Sequence, residues 1–187
     1  MTPITVGVLV GSISSTSINR RLARALMALG PEAGLDLVEI PIAGLPFYSA
    51  DHDAELPAAA AELKAAIESV AGVLIVTPEY NRSVPGVLKN ALDTASRPWG
   101  QNSFAGVPSV IIGTSGGQLG TAAAQQHLRL ILSFLDSPTM SQPEAYVQMR
   151  EGQIGDDGEV TDSASREYFV TWLAAAREHI ARNARAL

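Results

Sequence analysis

The chain reads as an α/β protein in which a five-stranded parallel sheet carries helices on both faces. Two observations predict it. Short apolar runs rich in β-branched residues, such as ITVGVLV at 4–10 and GVLIVT at 72–77, alternate along the chain with segments whose apolar residues recur at helical spacing. The strand-like runs are also apolar without alternation. That pattern marks strands buried on both faces, which belong to parallel sheets with right-handed helical crossovers.

The elements follow in order. Ile4 to Val10 is the first strand, and Asn19 to Leu29 the first helix, with Leu22, Ala25, Leu26 and Leu29 on one face and Gly30-Pro31 as its stop. Leu35 to Ile40 is a second strand closed by Pro41, residues 41–55 form a loop, and Pro57 opens an Ala-rich helix to about Val70. Gly72 to Thr77 is a third strand. Val84 to about Ser96 is helical, with Pro85 in the first turn, where a missing N–H costs nothing, and Pro98 beyond the end. Val107 to Gly113, Thr121 to Leu135 and Ala145 to Met149 supply strand, helix and strand. Residues 151–162, acidic and glycine-rich, read as an exposed loop or hairpin before a last helix from Ser163 to about Arg185. Residues 1–187 form one domain in this reading. Five strands and five helices predict the flavodoxin-like three-layer sandwich with strand order 2-1-3-4-5. The loops after Val10, Thr77 and Gly113 then converge where that order reverses, and ligands bind there.

Composition limits the function. A net charge of −6, from 19 acidic and 13 basic residues, provides no positive field for nucleic acid or an anionic membrane. No apolar run approaches the ~20 residues of a membrane span. The N-terminal segment shows no export signal, so a cytoplasmic protein is expected. Cysteine is absent, which removes disulfides, thiolate nucleophiles and iron–sulfur ligation, and no cluster has metal-ligand spacing. Redox chemistry in this chain needs a cofactor.

Three loops carry candidate chemistry. Gly11-Ser12-Ile13-Ser14-Ser15-Thr16-Ser17-Ile18-Asn19 joins a buried strand to a helix and combines hydroxyls with free N–H groups and a helix dipole, which suits a phosphate. A plain helix cap at Ser17 or Asn19 accounts for one of these residues, not six. The spacing matches neither the dinucleotide fingerprint nor a P-loop. Pro78-Glu79-Tyr80-Asn81-Arg82-Ser83-Val84-Pro85-Gly86 is rigid and polar, suited to the edge of a flat heteroaromatic ring. Gly113-Thr114-Ser115-Gly116-Gly117 adds backbone N–H groups to the same crevice, and it also matches the G-x-S-x-G of a nucleophile elbow, with Asp136 and His179 in triad order. A serine hydrolase using Ser115 is therefore the rival reading, and a flavodoxin-like electron carrier a third. Against the hydrolase, His179 falls inside a helical segment. His52 and His127 read as solvated or interface residues.

GSISSTSINRRLA, TPEYNRSVPGVLKNALDTASRP, GTSGGQLG, QHLRLILSFLDS and QPEA together resemble the NAD(P)H-dependent FMN reductase family, nearest its bacterial chromate and quinone reductase branch. The resemblance runs through nearly the whole chain. It implies tightly bound FMN, NADPH or NADH as donor, and quinones, free flavin or other small molecules as acceptors. It further implies that Ser12, Ser17, Ile18 and Asn19 hold the FMN phosphate. Pro78, Glu79, Tyr80, Asn81 and Ser83 would contact the isoalloxazine, with Ser115 and Gly116 flanking it. No acid or base is assigned, because the flavin carries the chemistry.

Three positions depart from the family pattern. Ser14 stands where an arginine is usual, Arg82 where a tyrosine often follows PEYN, and Gln126 where the near branch has tyrosine. The last change removes an aromatic partner from the tetramer contacts that Arg129 and Glu144 imply. The resemblance, with the apolar stripe Leu128, Ile131, Leu132 and Leu135, predicts a homodimer or homotetramer that buries this stripe beside the flavin.

Overall fold

The computed structural model describes residues 2–184. Five strands, β1 (Ile4–Val10), β2 (Leu35–Glu39), β3 (Val73–Val76), β4 (Ser109–Ser115) and β5 (Tyr146–Gln148), alternate with five helices. These are α1 (Ile18–Leu29), α2 (Ala58–Glu68), α3 (Gly86–Ala95), α4 (Ala122–Phe134) and α5 (Ser163–Asn183). All strand pairs are parallel, in the order β2-β1-β3-β4-β5. The last residue of the predicted final helix, Arg185, lies outside the described residues.

The two faces of the sheet build two cores. Val6, Val8 and Val10 of β1 join Leu74, Val76, Val110 and Ile112 under α1 and α5. Leu9, Val73, Ile75 and Ile111 point the other way, into α2, α3 and α4. Alternate residues of one strand thus enter opposite cores, which is why these strands carry no polar face.

The structure moves several expected boundaries. β4 starts two residues later than predicted and runs through Ser115, because β5 extends its ladder by pairing Gly113 with Tyr146, Thr114 with Val147 and Ser115 with Gln148. Ser115 therefore ends a strand instead of standing in a loop. Pro57 and Pro85 sit at the N-cap positions of α2 and α3, in extended backbone, one residue earlier than a first-turn proline. The segment 151–162 is not simply exposed. Ile154 is buried in the α1/α5 core and bridges Val160, while Arg24 donates to the Asp156 carbonyl at 2.8 Å, so the hairpin is buttoned to α1.

The apolar stripe of α4 is also corrected. Leu128, Leu132 and Leu135 are buried in the chain's own core, with Ile131 packed against it, so they are not free to meet another subunit. The hydrophobic side chains that α4 leaves outward are Leu130 and Phe134, 74% and 71% exposed. Phe134 and Trp99 line one cavity, and the loop bearing Trp99 is fixed by the buried Lys64, whose ammonium donates to the Ala95 carbonyl (3.1 Å), the Gln101 carbonyl (2.5 Å) and Ser103 Oγ (3.0 Å). Burial pushes the Lys64 pKa down.

Strand registers place the site. Val10, Val76 and Ile112 lie in one row, and the next row is closed by Gly11 N–H donating to the Val76 carbonyl (2.8 Å) and Thr77 N–H to the Ile112 carbonyl (3.0 Å). Three chain segments leave the sheet side by side there. At Gly113 a Cβ would stand 2.2 Å from both the Thr77 carbonyl oxygen and Thr121 Oγ1, so the strand and the start of α4 approach closely because this residue has no side chain. Gly113→Ala should cost about 1–3 kcal/mol of overpacking strain or more, since one neighbour is backbone. Urea unfolding should show a lower midpoint with an unchanged slope, and an unchanged midpoint would mean the contact relaxes freely.

Candidate functional site

The three loops enclose a cleft of about 300 Å³ at the carboxyl ends of β1, β3 and β4. Each loop is organised by its own chemistry. Ser17 caps α1, its Oγ accepting from Arg20 N–H at 3.3 Å. Within the same loop Ser12 Oγ accepts from Ser14 N–H, and Ser14 Oγ from Thr16 N–H, both at 3.4 Å, so side chains curl the backbone back on itself. The amides of Ile18 and Asn19, at the start of α1, have no acceptor within the helix and face outward along its dipole.

The Asn19 side chain points away from that role. It is buried, donating to the Thr114 carbonyl at 2.8 Å and accepting from the Thr114 N–H at 2.9 Å. Its amide ties the first loop to the end of β4, and only its backbone N–H is left for an anion. No sequence pattern signals this use, because the partner lies 95 residues away.

In the second loop Tyr80 and Ser83 exchange backbone hydrogen bonds, both 3.0 Å, around Asn81 and Arg82, whose φ values of 51° and 65° are the pair that a type I′ turn requires. Two side chains fasten this turn to α4. Glu79 Oε2 accepts from the Ala124 N–H at 3.1 Å in the first turn of the helix, where a carboxylate also meets the positive end of the dipole. Ser83 Oγ bonds His127 Nδ1 at 3.0 Å. Arg82 reaches back to Glu79 Oε1 at 3.3 Å from an exposed position.

Every residue expected at the site lines this cleft except Asn81 and Ser83, which stand on the outer part of the turn. Thr16 and Thr114 line it as well, and Ser14 with them. Tyr80 is half-exposed at the rim, and no heavy atom lies within 4 Å of a Cβ placed on Gly116. The donor set fits FMN: hydroxyls and first-turn amides for a phosphate at one end, and an open glycine beside Tyr80 for a flat ring at the other. The nearest cation to the phosphate loop is Arg20, which donates to Glu39 at 2.7 Å and to the Ser12 carbonyl at 3.4 Å.

The serine-hydrolase reading fails on distance. His179 Nε2 bonds the Pro138 carbonyl, and that carbonyl also accepts from Ser109 N–H at the opposite end of β4 from Ser115. A seven-residue strand puts about 20 Å between those ends. Ser115 Oγ is engaged instead with Gly117, accepting from its N–H at 3.2 Å.

The geometry separates two substitutions. Ser14→Arg should add a counter-charge to a phosphate held by neutral groups, tightening FMN about fivefold, or roughly 1 kcal/mol after exposure and side-chain entropy discount a stronger charge-assisted bond. Added salt should weaken the gain, and riboflavin should show none. Asn19→Ala should loosen FMN and riboflavin alike, because it releases Thr114 and with it the third loop. Flavin fluorescence titrations decide both, and equal gains for riboflavin in Ser14→Arg would remove the phosphate from this loop.

Comparison with known proteins agrees with this geometry. Residues 4–152 match the family model described as NADPH-dependent FMN reductase. A 2-hydroxy-1,4-benzoquinone reductase of a Burkholderia species is 48% identical over 169 residues, covering 90% of this chain and 91% of that protein. A quinone reductase of Escherichia coli K12 is 40% identical over 178 residues, covering 93% of this chain and 94% of its own length. Among solved structures, FerB, a flavoenzyme NAD(P)H:acceptor oxidoreductase from Paracoccus denitrificans, superposes with a TM-score of 0.92 at 40% identity, covering 97% of this chain and all (100%) of that one. A flavodoxin from Pseudomonas aeruginosa, at 20% identity and a TM-score of 0.58 over 93% of this chain and 99% of its own, shares the fold. With the match spanning the whole phosphate loop, the turn after β3 and the end of β4, this chain belongs to the NADPH-dependent FMN reductase family.

Proposed function

We propose that the protein is a cytoplasmic FMN-dependent reductase that passes two electrons from NAD(P)H to small quinones. One observation carries the reading. A hydroxyl-rich loop at a helix start, a rigid polar turn and an open glycine converge on one edge of the sheet, in a chain whose relatives include quinone reductases at 40% and 48% identity.

In this reading the amides of Ile18 and Asn19, with the hydroxyls of Ser12 and Ser17, hold the FMN phosphate. Pro78, Glu79 and Tyr80, with Asn81 and Ser83 behind them, face the isoalloxazine edge, and Ser115 with Gly116 flanks the ring. FMN, when bound, supplies the hydride acceptance and the onward electron transfer, while these residues orient the ring and limit water around it. Arg82, 74% exposed by side chain, lies where donor or acceptor approaches, so it is the natural contact for an anionic or oxygen-rich acceptor.

One bound ring serving two partners implies a ping-pong cycle in which the oxidised nicotinamide leaves before the quinone enters. The purified protein should show a flavin absorption band that NADPH bleaches and a quinone restores, and double-reciprocal plots should be parallel. Intersecting lines would replace this with a ternary mechanism. Absence of bleaching would remove the reductase reading.

We further infer a homodimer, formed through the outward face of α4 and its surroundings. Trp99 (77% exposed) and Phe134 line one cavity, Leu130 lies one turn before Phe134 on α4, and Arg97 stacks on both Trp99 and Tyr48, next in the chain to the exposed Phe47 (84%). Arg129 and Glu144 already meet within one chain, while Gln126 donates to Glu144 at 3.0 Å and to the Tyr146 hydroxyl at 2.8 Å, which favours a dimer over a tetramer. Light scattering should give twice the chain mass for the wild type and a monomer for Phe134→Glu. A wild-type monomer at micromolar concentration would overturn the inference.

A further inference from the structure

α1 places Arg20, Arg21 and Arg24 within five consecutive positions, three of the chain's 13 basic residues. With Ser15, Thr16 and Ser17 of the preceding loop and Asp156 of the hairpin they line a groove of about 300 Å³. Thr16 and Ser17 also line the cleft described above, so the loop before α1 is the wall between the two. Every side chain in the groove's lining is polar. Guanidiniums and hydroxyls are the donors that a phosphate takes.

The three guanidiniums are not equally engaged. Arg20 pairs with Glu39 at 2.7 Å, and Arg21 with Asp156 Oδ1 at 3.2 Å. Arg24 donates to the Asp156 carbonyl at 2.8 Å, a neutral partner, and has no carboxylate within ion-pair reach among the described residues. A guanidinium carries five donors, so most of those on Arg24 stay available. Arg21 also donates to the Ile154 carbonyl at 3.4 Å, so hairpin carbonyls orient both side chains without neutralising them. The Asp156 carboxylate is 98% exposed, and such a surface pair is worth little against a better-placed anion.

Resting on the reading of the neighbouring cleft as the flavin site, we propose that this groove takes the 2′-phosphate of NADPH, with Arg24 and Arg21 as its counter-charges and the hydroxyls of Ser15 and Thr16 beside them. A nicotinamide donor lays one end against the ring, and its adenosine half leaves the cleft over one of the walls. The loop before α1 is the wall with three guanidiniums behind it. NADPH and NADH differ on that half by one phosphomonoester, close to two negative charges at neutral pH. In dinucleotide sites of other architecture an arginine likewise accommodates this group.

The test is calorimetric binding of 2′,5′-ADP, 5′-AMP and inorganic phosphate to the flavin-loaded protein, with kcat/KM measured for NADPH and NADH. 2′,5′-ADP should bind more tightly than 5′-AMP. Arg24→Gln should weaken 2′,5′-ADP about tenfold and lower the NADPH-to-NADH ratio of kcat/KM by the same factor, chiefly through the KM for NADPH. Asp156→Asn removes the competing carboxylate and should tighten 2′,5′-ADP about threefold, a gain that a damaged fold would not give. Both effects should shrink with added salt. Equal affinities for 2′,5′-ADP and 5′-AMP, or an Arg24→Gln ratio equal to wild type, overturn the proposal while leaving the flavin site intact. Inorganic phosphate binding as tightly as 2′,5′-ADP would make the groove a free-phosphate site and overturn its assignment to the coenzyme. If neither NADH nor NADPH bleaches the flavin, the reductase reading fails, and the proposal fails with it whatever the groove binds.

Discussion

Asn19 and Thr114 exchange two hydrogen bonds, 2.8 and 2.9 Å, between the first turn of α1 and the last residues of β4. The pair reaches across β3, which alone separates β1 from β4 in the sheet order. Both groups are buried, so an unmade bond here would leave polar backbone without water or partner, a penalty of ~1–3 kcal/mol for each group. The first and third loops are therefore held at a fixed separation, and the cleft between them is preformed. Glu79 does the same for the second loop by capping α4. A site assembled from three loops of one sheet edge acquires the precision of the strands only through such cross-ties.

The electrostatics of the phosphate end follow from what surrounds it. Arg20 is the cation nearest the loop, yet Glu39 holds it at 2.7 Å and its other nitrogen supports the Ser12 carbonyl. Arg21 is likewise paired, with Asp156 at 3.2 Å. Partnered guanidiniums raise the local potential less than a free one. In the proposed site the phosphate would then rely on amides, hydroxyls and the dipole of α1, all of which are directional. Directional donors favour a terminal phosphate that can turn three oxygens toward them, over a pyrophosphate that must pass through the loop.

Most of the fold was legible because its signals are local. Apolar runs, prolines and glycines marked every strand and helix, and the strand order followed from their alternation. Residues read at the wrong place were those whose state is set by distant partners. The length of β4 depends on β5, which sits more than thirty residues further on and is only three residues long. The burial of Ile154 depends on α1, and the orientation of α4 depends on which of its two apolar rows meets the sheet. Leu128, Leu132 and Leu135 form one row, Leu130 and Phe134 the other, and composition alone does not rank them. For the site, motif reading found the three loops but not which of their side chains the scaffold occupies. Asn19 and Glu79 have their side chains occupied by the scaffold, and the exposed His127 is bonded to the turn after β3, a contact that no local pattern signals.

These corrections meet on α4. Its inner row packs on the sheet, its N-terminal turn receives Glu79, its second turn holds Ser83 through His127, and its outer row carries Leu130 and Phe134. A helix is stiff over thirteen residues, so a displacement at its outer face reaches its first turn with little loss. Association at the outer row would therefore hold the helix, and the helix would hold the turn after β3. In the proposed dimer, subunit contact and the proposed flavin site would be linked through this one element, with no residue of the second subunit required to enter the cleft. The strained backbone at Asn81 and Arg82 fits the same logic. Residues at positive φ persist where their surroundings over-determine them, and this turn is held by the paired backbone bonds of Tyr80 and Ser83 and by two side-chain ties to α4.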